Sequence, residues 1–186
     1  MSNFTDFFPA AAGGGSMPKY QDFTSSGTFT PTQALIDAGG RVSYFIVAGG
    51  QQGNQFGNPY AGGSGGEVEY GYVTLNSTTG CTVTIGAGGS SSGANGTNSS
   101  AIFSSAGGTD VTASGGTGLQ YGKNFGAQRE SGVGLTTAFS GVGNYGKGGG
   151  SNVSGGGPAT PLPNSGGGSK QGTQAGSGFV RITWFE

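Results

Sequence analysis

Two carboxylates spaced two residues apart are the first groups in this chain that could do chemistry. Glu67 and Glu69 stand in an alternating run, Glu67 to Leu75, so they share one face of a strand. A pair of carboxylates is the equipment of a glycosidase. Few other polar side chains converge on them, so two solvated charges guarding an edge strand explain them better. Cys81 is the one thiol. It opens the alternating run Cys81–Ile85, with Cys81, Val83 and Ile85 on the inward side, and reads as a small buried apolar residue. Gly62-Gly63-Ser64-Gly65-Gly66 lacks the Lys-Ser/Thr ending and the following helix that a phosphate-binding loop requires.

The composition removes most other catalytic equipment. With no histidine there is no His-based triad and no imidazole metal site. One cysteine excludes a thiolate zinc cage and an internal disulfide framework. Seven basic against eight acidic residues give a net charge of -1, with no basic stripe for nucleic acid. The expectation is a protein that is not an enzyme, with no catalytic residues, no cofactor and no metal. Met1–Ala12 has neither a basic start nor a long apolar stretch, so no signal peptide is expected. The compact apolar run Tyr44–Ala48 is far too short to cross a bilayer.

What remains is binding. Polar loops carry aromatic rings at three places: Gln51–Tyr60 with Phe56 and Tyr60, Tyr121–Phe125 with both of its end rings, and Asn144–Lys147 with Tyr145. Aromatics among Asn, Gln, Ser and Gly are how binding loops recognise sugars and polypeptides at low entropy cost. The same rings could instead be pegs in a glycine framework. Near the start, Phe4, Phe7, Phe8 and Pro9 precede Ala10–Gly15. This reads either as an anchor peptide on a hinge or as a cap on the domain's own core, and no regular period decides between them.

These residues must be positioned by a chain in which 45 of 186 residues are glycine. Disorder is one outcome of such a composition. The 12 Phe, 7 Tyr and 1 Trp fall mostly in short alternating or β-branched runs, which argues for an ordered all-β fold. Strand-like runs cover residues 22–30, 41–48, 67–75, 81–85, 101–103, 110–113 and 178–185. Pro31–Asp37 suits one short helical turn with Pro31 in its first turn and Gly39-Gly40 as the stop. Thr78-Thr79-Gly80 reads as a hairpin turn. Between Gly115 and Ser177 lies a stretch too long for an ordinary loop. If ordered, it must consist of extended segments packed backbone to backbone, possible only for glycine, in the manner of three-fold left-handed helices. The division expected is an anchor segment at 1–20, a glycine-rich β domain at 21–186 with a loop region at 115–177, and a final strand at 178–186.

The order of motifs resembles the glycine-rich domains of bacteriophage tail-fibre and virion proteins. Phe23-Thr-Ser-Ser-Gly-Thr-Phe29-Thr-Pro31 looks like their opening strand. Tyr44–Gly50, Gly62–Leu75, Thr82–Gly89, Ser100–Gly116 and Gly176–Trp184 follow in the family's order. Asn3–Ala11 is similar to the start of structural proteins of marine and cyanobacterial phages. The resemblance implies a glycine-rich, β-sandwich-like domain with long extended loops, assembled as a homotrimer. It implies a virion location after synthesis in the host cytoplasm, with other tail or capsid proteins and a host-surface polysaccharide or protein as partners. Phe4, Phe7, Phe8 and Pro9 would be the particle anchor, and the loop aromatics would meet the host. The absence of a shaft or repeat leaves a capsid decoration or head-fibre protein as a rival, and a polysaccharide depolymerase as a lesser one.

Overall fold

The computed structural model describes residues 17–54, 61–117, 120–121, 164–169 and 172–186. Its strands form two four-stranded antiparallel sheets and one small ribbon. The first sheet has the order β1 (Pro18–Phe23), β10 (Phe179–Phe185), β3 (Arg41–Val47), β5 (Val68–Thr74). The second has β2 (Gly27–Phe29), β6 (Cys81–Thr84), β7 (Ser99–Ile102), β8 (Val111–Ala113). Two-residue strands β4 (Ala61–Gly62) and β9 (Gln120–Tyr121) make the ribbon. The only described α-helix is α1, Gln33–Asp37.

Side-chain alternation sets the faces. On β3 and β10, Val42 and Ile46, then Val180 and Ile182, are buried on one side, with Tyr44 and Trp184 packed against them. They share a single core with Phe29, Cys81, Val83, Ala101 and Phe103 of the second sheet and its flanks. Two ring contacts cross between the sheets: Phe29 to Trp184 at 5.2 Å and Tyr44 to Phe103 at 6.1 Å. On the opposite face of the first sheet, Phe45, Val47, Val68 and Phe179 form a smaller buried cluster.

The short helix starts where its cap is. Thr32 in extended conformation accepts a hydrogen bond from Leu35 N at 3.1 Å, so Thr32 is the N-cap and Pro31 lies one residue outside. Gly40, at φ +67°, takes the chain into β3 and bonds Leu35 O; a Cβ there would lie 1.8 Å from Leu75 O. Strand β1 reaches back to Pro18, inside the 1–20 segment, and Met17 N bonds Glu186 O at 2.9 Å. Asp22 and Arg181 add a two-pronged ion pair across β1 and β10, 2.6 Å on each arm.

The glycines do something that strands cannot. Three connections leave the same end of the two sheets: 48–67 between β3 and β5, 85–98 between β6 and β7, and 114–178 between β8 and β10. In the first, successive amides point to different neighbours. Gly49 N bonds Thr97 O, Gly50 N bonds Gly176 O, Gln51 N bonds Ser64 O, and Gln52 N returns to the first neighbour at Ala94 O, all between 2.8 and 3.0 Å. The carbonyls repeat the pattern: Gly49 O accepts from Gly116 N, Gly50 O from Gly89 N and Gln51 O from Ser169 N. A β-strand alternates between two sides. A chain that turns once every three residues, like polyproline II, has no internal hydrogen bonds and sends its groups out all round.

Close contacts carry the same period. A Cβ on Gly63 or Gly66 would meet Gln51 O at 2.0 Å or Ala48 O at 2.2 Å. On Gly86 or Gly89 it would meet Thr97 O at 2.0 Å or Ala94 O at 2.1 Å. Each pair steps by three on both partners. Packing backbone directly on backbone satisfies buried peptide groups without any sheet. The segment from residue 48 to residue 54 therefore extends about 20 Å at the rise of such a helix. The backbone-to-backbone packing expected of 115–177 if ordered is present at Gly115, Gly116, Gly168, Ser169, Ala175 and Gly176, whereas a Cβ at Gly172 would meet nothing within 4 Å and Gln120–Tyr121 form a strand. Of the glycines before Gly115, expected to end strands and make turns, Gly49, Gly50, Gly63, Gly66, Gly86, Gly88, Gly89 and Gly96 belong to the same array.

Candidate functional site

At the far end of the array the roots of two expected binding loops come together. Ala61 pairs with Tyr121 and Gly62 with Gln120 in the β4–β9 ribbon. Ala61 ends the loop that carries Phe56 and Tyr60, and Tyr121 opens the one that carries Phe125. The turn around Gly93 lies beside them: Gly93 N bonds Gly53 O at 3.1 Å, and Ser92 Oγ bonds Asn54 Oδ1 at 3.1 Å. Gly93 adopts φ +73°, which lets the chain reverse there.

Gln51 ties this end together. It is only 3% exposed, and its amide makes three hydrogen bonds to two segments. Nε2 donates to Asn95 Oδ1 at 2.8 Å and to Gly93 O at 3.3 Å, and Oε1 accepts from Ser64 N at 3.3 Å. Sequence reading placed Gln51 in an exposed polar loop; the array buries it. Phe56, Tyr60, Phe125 and Tyr145 lie outside the described residues, as do Phe4, Phe7, Phe8 and Pro9. Of Tyr121 only the backbone pairing is described.

The carboxylate pair is split between two tasks. Glu67 Oε2 accepts from Ser114 N at 2.7 Å, and Glu67 N bonds Ser114 O at 2.9 Å. This double clip fastens the start of β5 to the chain leaving β8. Glu69 lines a groove of about 680 Å³ between the edge strands β5 and β8, together with Tyr44, Thr74, Asp110 and Thr112. Asp110 is held in place by Ser104, whose N and Oγ donate to its two oxygens at 2.7 and 3.0 Å. Burial raises the pKa of the Tyr44 hydroxyl, and the Glu69 charge adds to it. No group of three or more His, Cys, Asp or Glu side chains among the described residues could hold a metal ion. No helix among them is long and apolar enough to cross a membrane.

Cys81 is fully buried, and its thiol lies 3.7 Å from Thr79 O. Burial pushes its pKa up; the Ser105 hydroxyl partly offsets this, and the Asp110 charge adds to it. A thiol without access or thiolate character is inert. At about pH 8 the native protein should leave a thiol-reactive disulfide reagent unconsumed while the urea-unfolded chain reacts fully. Rapid labelling of the native protein would show that this edge of the core is open.

One group of exposed residues escaped the sequence reading. Tyr20 is 65% exposed, Tyr70 51%, Tyr72 68% and Phe185 56%. All four sit on the outer face of the first sheet, on the side away from the shared core. The signal was present in the alternation of Val68, Tyr70 and Tyr72, but only the pairing shows which side of each strand is outermost. Comparison with family models, with curated proteins and with solved structures finds no match to this chain.

Proposed function

We propose that this chain is a bacteriophage virion structural protein, a short tail fibre or receptor-binding tip that meets the host surface. The observation that carries the reading is the polarity of the domain. All three glycine connections run out from one end of the sheets and bring two candidate loops to a common ribbon, while residue 17 enters at the opposite end. An N-terminal anchor on the particle and distal loops on the host fit that layout. In this reading the two sheets close face to face as a sandwich, and three copies assemble, supplying burial that a glycine-rich chain lacks alone. The bonding of Glu67 to Ser114 gives it a structural task and lends no support to a depolymerase.

The test is adsorption. Phe56→Ala combined with Tyr60→Ala should reduce attachment of assembled particles to host cells about tenfold or more, the effect of losing one binding hot spot. The melting temperature should stay at the parent value. Unchanged attachment would remove the loops from host contact, and a large thermal loss would make the rings packing pegs. Labelling that places the protein on the head would replace the tail-fibre reading with capsid decoration.

A further inference from the structure

The outer face of the first sheet carries an aromatic trough with a hydroxyl floor. The register places Tyr20, Thr183, Ser43 and Tyr72 in one row across β1, β10, β3 and β5. The two rings stand on the edge strands, and the two small hydroxyl residues lie between them. Part of this row opens into a cleft of about 360 Å³ lined by Ala38, Arg41, Ser43, Tyr72, Thr183 and Phe185. The cleft sits at the start of β3, about 20 Å along that strand from the glycine array.

Arg41 gives the cleft its charge. Its guanidinium carbon lies 4.2 Å above the Tyr72 ring, so one face of the group is occupied. The N–H donors lie around the edge of the plane and remain directed sideways. Three basic side chains fall among the described residues. Lys19 is paired with Glu186 and Arg181 with Asp22, whereas Arg41 forms no ion pair among the described residues. A held, exposed guanidinium matches a carboxylate in a two-pronged geometry. Exposed aromatic faces match the C–H face of a pyranose ring; the Thr183 hydroxyl can exchange hydrogen bonds with its hydroxyls, and Ser43 Oγ, which donates to Thr183 O at 3.4 Å, can accept one. The volume is at the small end for ligand clefts, with room for roughly one or two sugar rings.

We infer that this cleft binds an acidic saccharide, with its carboxylate on Arg41 and its ring against Tyr72 and Phe185. The site is separate from the distal loops and stands whether or not those loops contact a host. The probe is trigalacturonate, with its fully methyl-esterified form as the uncharged counterpart, titrated into the full chain by calorimetry and by NMR. The acid should bind about tenfold or more tighter than the ester, as expected for a charged hydrogen bond. Arg41→Gln should abolish that preference, and Tyr72→Ala should weaken both ligands. Phe56→Ala should leave both affinities unchanged, separating this cleft from the loops.

Equal affinity for acid and ester would overturn the proposal. So would the absence of heat and shift changes at millimolar ligand, or an Arg41→Gln protein that keeps the preference. Sedimentation covers the remaining occupant: self-association lost in both Tyr72→Ala and Phe185→Ala would assign the face to a second copy of the chain and overturn the saccharide.

Discussion

Gly96→Ala should destabilise the protein by about 3–5 kcal/mol, a fall in melting temperature of about 6–20 °C for a chain of this size. A Cβ at position 96 would lie 1.9 Å from Gly49 O, 2.3 Å from Gly49 C and 2.7 Å from Gly50 O. All three are backbone atoms, so no side chain can swing aside. Moving Gly49 and Gly50 would disturb their bonds to Thr97, Gly176, Gly116 and Gly89, each worth about 1 kcal/mol. The control is Gly27→Ala. There the added methyl would meet only the Phe23 ring edge at 3.4 Å, and the backbone is not left-handed. That variant should stay within about 1 kcal/mol of the parent. Thermal melts of both proteins decide the matter. Equal melting temperatures would mean that the glycine segments do not pack against one another.

The contrast separates two uses of glycine. At Gly39 and Gly93 the residue is needed for a positive φ. At Gly49, Gly63, Gly86 and Gly96 the backbone is not left-handed, and the need comes from the carbonyl of a neighbouring segment. Composition alone merges the two. The signal that separates them is a period of three, visible in Gly63 with Gly66 and in Gly86 with Gly89. Hydrophobic patterning at periods of 2 or 3.6 does not register it, because the array is built from backbone rather than side chains.

Where side chains set the structure, the sequence was informative. The run expected at 41–48 became β3, Arg41–Val47, and that at 178–185 became β10, Phe179–Phe185, with its alternation intact. Gly39-Gly40 follow the end of the helix as expected, whereas the cap is Thr32, and Pro31, expected in the first turn, lies outside it. The start of β1 was hidden, since Pro18, Lys19 and Tyr20 show no apolar alternation and acquire strand geometry by pairing with β10. The candidate site divides the same way. The loop aromatics could be picked out from their polar surroundings. That Ala61 and Tyr121 pair, or that the buried Gln51 side chain bonds to both Asn95 and Ser64, depends on contacts between residues far apart in the chain. The Arg41–Tyr72 stack was equally hidden, since it is set by the β3–β5 register.

The shared core makes the second large prediction. Phe29 on β2 is 1% exposed and its ring lies 5.2 Å from that of Trp184 on β10, tilted by 60°. The pair joins the first strand of one sheet to the last strand of the other, so truncating it removes burial from both. Phe29→Ala should cost about 3–5 kcal/mol, combining lost burial with the cavity left behind. The ring pair itself accounts for about 0.5–1.5 kcal/mol of that. Phe29→Leu keeps most of the volume and should cost under about 2 kcal/mol. Trp184 is the only tryptophan in the chain, so tryptophan fluorescence reports the surroundings of this one ring. Its emission should move to longer wavelength in Phe29→Ala as water gains access, and stay near the parent value in Phe29→Leu. If Phe29→Ala lowered stability without moving the emission, the two rings would not be neighbours. If neither changed, the two sheets would not share a core at this end.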